Sequence, residues 1–222
     1  MRDVVVQSQC GVTLLGAGEC DPHLLQRALA RAPLLVAADG GADRALAAGH
    51  MPARVIGDLD SLSPEGRAAL GPGRLVHIAE QETTDFDKAL RSIRAPFVLA
   101  VGFAGARLDH LMGVLGALAR HADRRCLVLG PQDVCFLVPP VLRLRLAPGT
   151  RLSLYPLGAV TGRSIGLDWP IDGIRLAPEG RTGLSNRVGA AEVRLETDAP
   201  RMLAFLPAEA LDAALTGLTE AG

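Results

Sequence analysis

The chain has no apolar run near the roughly 20 residues that a membrane-spanning helix needs. Its first twenty residues, MRDVVVQSQCGVTLLGAGEC, are interrupted by Asp3, Gln7, Ser8 and Gln9. Neither a transmembrane segment nor a signal-peptide core is expected. Cysteine is sparse: Cys10, Cys20, Cys126 and Cys135 form no CxxC pair. That excludes a zinc-ribbon site and a disulfide-stapled secreted scaffold, and makes a reducing cytoplasm the expected setting. Lysine is almost missing. Lys88 is the only one, and arginine carries the rest of the positive charge. A formal net charge of −1 gives no general attraction to nucleic acid or an anionic membrane, so any charged ligand must be handled locally.

What is present is apolar and periodic. Hydrophobic residues make up 49 % of 222 and charged residues 21 %, a balance that supports a globular core. VTLLGAG reads as a buried strand with a glycine turn, followed by Asp21 as N-cap, Pro22 at the first helical position and the helix HLLQRALARA. The alternation continues through PLLVAADGG, ADRALAAG, ARVIGDLDS, a helix opened by Ser63-Pro64, RLVHIA, the helix TTDFDKALRSI, FVLAVGFAG, the helix LDHLMGVLGALARH and RCLVLG. Strands alternating with helices of this length predict βαβ units and a mainly parallel sheet. After VPPVL, residues 138–142, the texture changes to short period-2 segments such as LRLRL, RLSLY and AEVRLET, separated by Pro and Gly. The expected fold class is α/β: a mainly parallel N-terminal α/β domain over residues 1–140, then an all-β sandwich or barrel over residues 141–222.

In such a sheet, ligands sit beyond the carboxyl ends of the strands, and the acids of this chain gather there. AADGGAD brings Asp39 and Asp43, IGDLDS brings Asp58 and Asp60, QETTDFDK brings Asp85 and Asp87, and GFAGARLDH brings Arg107, Asp109 and His110. Two carboxylates about 4 Å apart repel by roughly 1 kcal/mol in water and roughly 4 kcal/mol at an effective dielectric near 20. Convergence of several calls for a cation, and magnesium, shared between carboxylates and phosphates, is the natural one. Each residue also has a plainer reading. Asp58 and Asp60 can be turn acids, and Asp85 can simply meet the dipole of its helix. Gly16-Ala17-Gly18 and Gly40-Gly41 can serve tight turns or let backbone N–H groups approach a phosphate. His110, inside an apolar helix, is expected to be packed, and Cys20 has no partner that would make it a nucleophile.

AADGGADRALAAGHMPARVIGDLDSL, QETTDFDKAL, GFAGARLDHLMGVLGAL and GLSNRVGAAEVRLETDAPRML, in this order and spacing over residues 34–205, resemble the thiamine pyrophosphokinase family. The resemblance implies diphosphate transfer from ATP to the hydroxyl of thiamine, giving thiamine diphosphate and AMP. It implies a metal held by Asp58, Asp60 and Asp85, with Asp39 in the same cluster, and Gly40, Arg107, Asp109 and Lys88 around the nucleotide and its phosphates. Gln81, Thr84, Trp169, Ser185 and Asn186 would shape the thiamine pocket, which in the family lies across a homodimer interface. Two departures stand out: Asp43 replaces a frequent Asn, and the GAGEC turn agrees only loosely, leaving nucleotide contacts of residues 16–20 open. Lys88 has two readings, a point charge for a phosphate or an ion-pair partner on its own helix. Trp169 also has two, a cation–π partner for the thiazolium or an anchor of the β core. The group that takes the hydroxyl proton is open between Asp85 and Asp109. Three rival readings remain at this level. One is diphosphate transfer to another acceptor, such as a hydroxymethyl pterin. The others are a non-catalytic nucleotide-binding module and a dehydrogenase, the last disfavoured because no complete GxGxxG is present.

Overall fold

A computed structural model describes residues 4–105 and 107–221. In chain order the elements are β1 (Val6–Gln7), β2 (Val12–Leu15), α1 (Pro22–Leu29), β3 (Leu34–Ala38), α2 (Gly41–Ala47), β4 (Arg54–Gly57), α3 (Pro64–Leu70), β5 (Leu75–His77), α4 (Asp85–Ser92), β6 (Ile93–Arg94), β7 (Val98–Val101), α5 (Leu108–Arg120), β8 (Cys126–Leu129), β9 (Asp133–Leu137), β10 (Val141–Arg145), β11 (Ser153–Pro156), β12 (Gly162–Ile165), β13 (Glu192–Thr197), β14 (Met202–Pro207) and α6 (Leu211–Glu220). They fall into two compact units, one running to Ala117 with Val128–Pro131, the other comprising Leu118–Leu127 and the chain from Gln132. No described helix is long and apolar enough to cross a membrane.

The first unit is built on parallel strands in the order β7-β2-β3-β4-β5. Strands β2 and β7 are buried along their whole length, as expected of parallel strands covered on both faces. The chain runs outward from β2 through β3, β4 and β5 and then returns to the other side of β2 as β7. The strand order therefore reverses at β2, and the crevice at its carboxyl end is where a ligand fits.

Local chemistry fixes the helix starts. Asp21 accepts the His23 N–H at 2.7 Å with Pro22 opening α1. The Ser63 hydroxyl accepts the Gly66 N–H at 2.9 Å with Pro64 opening α3, and the Thr84 side chain caps α4. Each cap satisfies an N–H that the first turn leaves unpaired. At the start of α2, a Cβ on Gly41 would lie 2.2 Å from the Leu15 carbonyl oxygen, so only glycine lets that helix reach the end of β2.

The second unit holds two antiparallel arrays, β10-β13-β12 and β11-β14-β9. β10 alternates buried Leu142 and Leu144 with exposed Arg143 and Arg145, the period-2 pattern of LRLRL made real. One element departs from the all-β reading of this region: α6, which packs on β10 with Leu211, Ala214, Gly217 and Leu218 buried.

Candidate functional site

Two strand exits of the first unit deliver three acids. β3 ends at Ala38, and Asp39 follows with φ of +41°. Asp39 is 2 % exposed. Its Oδ2 accepts the Ser61 N–H at 3.2 Å, while its buried Oδ1 has no hydrogen-bond partner. β4 ends at Gly57, and Asp58-Leu59-Asp60 follows, with Leu59 also left-handed at φ +64°. One carboxylate oxygen each of Asp39, Asp58 and Asp60 lie within 4.8 Å of one another. At an effective dielectric of 20 each such pair repels by roughly 3 to 4 kcal/mol. The fold therefore leaves a concentrated negative site.

That charge is relieved in two visible ways. Burial, with repulsion from Asp85, Asp58 and the Asp60 contact adding to it against the Ser61 hydrogen bond, raises the Asp39 pKa to about 6. On the other flank Lys88, 1 % exposed, donates to Asp58 Oδ2 at 2.9 Å and to Asp85 Oδ1 at 3.2 Å. The Lys88 hydrogen bond is the main reason that Asp58 titrates at about 2. For Lys88 itself burial works downward, but the two carboxylates outweigh it and its pKa is raised. Gln81 adds a second donor to Asp58 Oδ2, at 3.1 Å. The strand end is tightly drawn: a Cβ on Gly57 would lie 2.9 Å from Asp39 Cβ and 3.0 Å from Asp85 Oδ1.

The donor set fits a hard divalent cation. All three ligand atoms are carboxylate oxygens, and Asp39 carries one oxygen, Oδ1, that is a buried acceptor with no hydrogen-bond donor in the protein. Such oxygens suit magnesium. Asp85, expected as a ligand alongside Asp58 and Asp60, lies outside that trio, with one oxygen committed to Lys88.

Beside the acids lies a cavity of about 460 Å³ at the reversal of the sheet, lined by Ala17, Gly18 and Glu19 and by the adjoining Gly102, Phe103 and Gly105. Asp39, Gly40, Thr84, Asp85, Arg107 and His110 also line it. His110, expected to be packed within its helix, is instead exposed in the first turn of α5. Phe86 and Phe103 meet edge to face at 4.8 Å between ring centroids and give the cavity an aromatic wall. Arg107 pairs with Asp109 at 2.6 Å in an exposed setting, and that contact, the leading cause, lowers the Asp109 pKa to about 2. Asp109 itself is not among the lining residues. Arg44, which sequence reasoning passed over, lines the cavity and donates from Nε to the Ala17 carbonyl. Its only signal was a basic residue one turn into the helix after GG.

Asp43 has a different task. Its two oxygens accept the Ser63 N–H at 2.9 Å and the Ser63 hydroxyl at 2.6 Å, tying α2 to the start of α3.

The second unit carries the other expected residues. Ser185 is left-handed at φ +57° and donates its N–H to Ser153 Oγ at 3.0 Å. Asn186 is buried and clamps the Trp169 backbone. Its Nδ2 donates to the Trp169 carbonyl at 2.7 Å, and its Oδ1 accepts the Trp169 N–H at 3.3 Å and the Arg187 N–H at 2.7 Å. The Trp169 ring is 56 % exposed, so it does not anchor the core. The Arg187 guanidinium lies 5.5 Å from the ring centroid.

Comparison with known proteins finds relatives along most of the chain. The family model described as thiamin pyrophosphokinase, catalytic domain, matches residues 25–129, which include the whole acid cluster and the parallel strands β3, β4, β5 and β7 but not β2. Thiamine pyrophosphokinase 1 of Oryza sativa subsp. japonica is 29 % identical over 76 % of this chain and 76 % of its own length. Thiamine pyrophosphokinase 1 of Arabidopsis thaliana is 27 % identical over 75 % of each. The fold is shared with thiamin pyrophosphokinase from Candida albicans, at a TM-score of 0.76 and 15 % identity over 91 % of this chain and 92 % of that one. It is shared also with the yeast thiamin pyrophosphokinase, at 0.72 and 18 % over 98 % and 94 %. Four quoted motifs in order, a matching catalytic-domain model over residues 25–129 and relatives aligned over three quarters of their length make the chain similar to the thiamine pyrophosphokinases.

Proposed function

We propose that this protein transfers the diphosphate group of ATP to the hydroxyl of thiamine, giving thiamine diphosphate and AMP. The observation that carries this reading is the trio Asp39, Asp58 and Asp60, with an unpartnered buried oxygen, at the edge of a cavity where the sheet order reverses. In the transfer the thiamine oxygen bonds the β-phosphorus while the bond from that phosphorus to the oxygen of the α-phosphate breaks, and AMP leaves. Catalysis of such a step rests mainly on positioning and charge neutralisation.

In this reading the cavity takes ATP, with the Phe86–Phe103 wall against apolar surface and the guanidinium groups of Arg44 and Arg107 facing phosphate oxygens. Magnesium would be held by Asp39, Asp58 and Asp60. Bound there, it supplies neutralisation of the phosphate oxygens and of the charge developing on them. Lys88 gives two of its three N–H donors to Asp58 and Asp85, which favours a role in fixing those carboxylates over direct phosphate contact. Asp85 lines the cavity and Asp109 does not, so Asp85 is the acceptor we propose for the hydroxyl proton. Gln81 and Thr84 flank the same acids, and Trp169 and Ser185, with Asn186 behind them, would meet thiamine in the second unit.

A homodimer with the thiamine site at its interface completes the proposal. The exposed Ile165, Trp169 and Leu184 of the second unit support it as apolar surface suited to a partner. The free state of all four cysteines suits a reducing cytoplasm.

The test is AMP release from ATP and magnesium, with and without thiamine, in the parent protein and in Asp60→Ala. Thiamine-dependent AMP with matching thiamine diphosphate is expected, reduced by about a hundredfold or more in the variant. AMP formation that ignores thiamine, or a variant that works as well as the parent, would remove the reading.

A further inference from the structure

Among the described residues, three that are not glycine have positive φ, and two of them, Asp39 and Leu59, stand at the acid cluster. An aspartate tolerates that conformation because its short polar side chain can bond locally. A leucine does not, and persists there only when its surroundings over-determine it. Leu59 is also buried, at 5 % exposure, in a core cluster with Ala37, Ala42, Val55, Leu62 and Leu70. Its carbonyl oxygen accepts from Arg67 Nη2 at 2.8 Å. Leucine is thus held at both ends, by its side chain in the core and by its carbonyl on α3.

We infer that Leu59 is a positioning residue whose buried side chain, in left-handed backbone, holds Asp58 and Asp60 close enough to share one cation. This rests on the reading of Asp58 and Asp60 as metal-binding. In an extended strand, residues two apart are separated by roughly 6.7 Å, too far for their carboxylates to converge readily. The left-handed bend at Leu59 shortens that path. It lets the Asp60 N–H approach Asp58 Oδ1 at 3.4 Å and directs the next residue, Ser61, to donate to Asp39 Oδ2. The unpartnered Asp39 Oδ1, in a side chain 2 % exposed, is the independent sign that a ligand belongs at this point. The bend and the burial are both necessary. Glycine would accept the bend without an anchor, and alanine would keep the strain while losing the packing that opposes it.

The experiment measures Mn²⁺ binding to the full chain by the electron paramagnetic resonance signal of the free ion, beside thermal unfolding of each variant. Variants are Leu59→Ala, Leu59→Gly, Leu59→Met, Asp60→Asn and Leu70→Ala. Leu70 belongs to the same core cluster at the same 5 % exposure but lies at the end of α3, away from the acids. Leu59→Ala and Leu59→Gly are expected to weaken Mn²⁺ binding about tenfold or more. Leu59→Met, which refills the core with an unbranched chain of similar volume, should stay within about threefold of the parent. Leu70→Ala should lose stability with Mn²⁺ affinity unchanged. If Leu59→Ala and Leu70→Ala weaken Mn²⁺ equally while Asp60→Asn abolishes it, the role of Leu59 falls and the metal reading stands. If the parent binds no Mn²⁺, or Asp60→Asn binds it as the parent does, both fall. Should Leu59→Ala fail to fold, Leu59→Met against Leu59→Gly gives the same comparison. Equal affinity in those two overturns the inference.

Discussion

The ammonium of Lys88 sits 2.9 Å from Asp58 Oδ2, across thirty residues of sequence, and is almost wholly removed from solvent. It is the chain's single lysine, and it joins the loop after β4 to α4. Removing it leaves Asp58, 13 % exposed, facing Asp85, 34 % exposed, with no cation between.

Lys88→Met is therefore expected to destabilise the protein by about 3 kcal/mol, the low end of the cost of breaking a buried pair because Asp85 is one-third exposed. The pH dependence has a definite sign. Asp58 titrates at about 2 in the folded protein, below its ordinary 3.8, so its contribution is present above pH ~4 and is lost as the pH falls through about 2. The stability gap between parent and Lys88→Met, measured by urea denaturation, should be constant near neutrality and close between pH 4 and 2. A gap that persists undiminished at pH 2 would mean that packing of the lysine stem, rather than its charge, is what the fold uses.

Asp39→Asn should separate stability from function. The carboxylate is buried, one oxygen is unpartnered, and its neighbours are Asp58 and Asp60. An asparagine carbonyl can still accept the Ser61 N–H while the repulsion disappears. Unfolding temperature is expected to rise by several degrees, corresponding to about 1 kcal/mol. The magnesium needed for half-maximal AMP release should increase about tenfold or more. A variant less stable than the parent would show that the Asp39 charge is already compensated within the protein.

Much of this site was legible in one dimension. Acids at successive strand exits, Ser-Pro and Asp-Pro helix starts and the alternation of the first 130 residues all follow from local rules, and the structure realises them at Asp21, Ser63 and Thr84. What was not legible depends on contacts between distant segments. D-L-D reads as the end of a strand, and nothing in those three letters says that the leucine bends back into the core. The 30-residue Lys88–Asp58 bond is invisible beside the Lys88–Asp85 pair, which helical spacing does offer. The orphaned oxygen of Asp39 exists only once β3 and β4 lie side by side. His110 shows the reverse error: an apolar pattern suggested burial, but the first turn of α5 is open at the cavity.

Asp43 makes a local, additive-looking contact that should prove strongly non-additive. Its oxygens take both the N–H and the hydroxyl of Ser63, and a Cβ on Gly66 would lie 2.1 Å from Asp43 Oδ1. Asp43→Ala leaves the Ser63 N–H without its partner and is expected to cost about 1 to 3 kcal/mol. Gly66→Ala should cost a similar amount by displacing the same carboxylate. The double variant should then be more stable than the sum of the two losses by at least about 1 kcal/mol, because the clash disappears with the carboxylate. Urea denaturation of the four proteins measures the coupling, and strict additivity would show that Gly66 is constrained by its other neighbours.

The face of Trp169 is already partly used. Arg187 stands 5.5 Å from the ring centroid and is itself paired with Asp168 through Nε. If the thiazolium cation of thiamine binds on this ring, the guanidinium competes with it by charge and by position. Arg187→Ala should then lower the KM for thiamine about fivefold, the equivalent of about 1 kcal/mol for a partly exposed cation–π contact, with kcat unchanged. Trp169→Ala should raise it by a similar factor. Trp169 is the chain's only tryptophan, so intrinsic fluorescence reports on this ring alone, and the quenching caused by thiamine should shift to lower concentrations in Arg187→Ala. A rise in KM for both variants would instead make Arg187 and Trp169 joint contacts of the substrate, with the arginine directed at an acceptor on thiamine rather than at the ring beneath it.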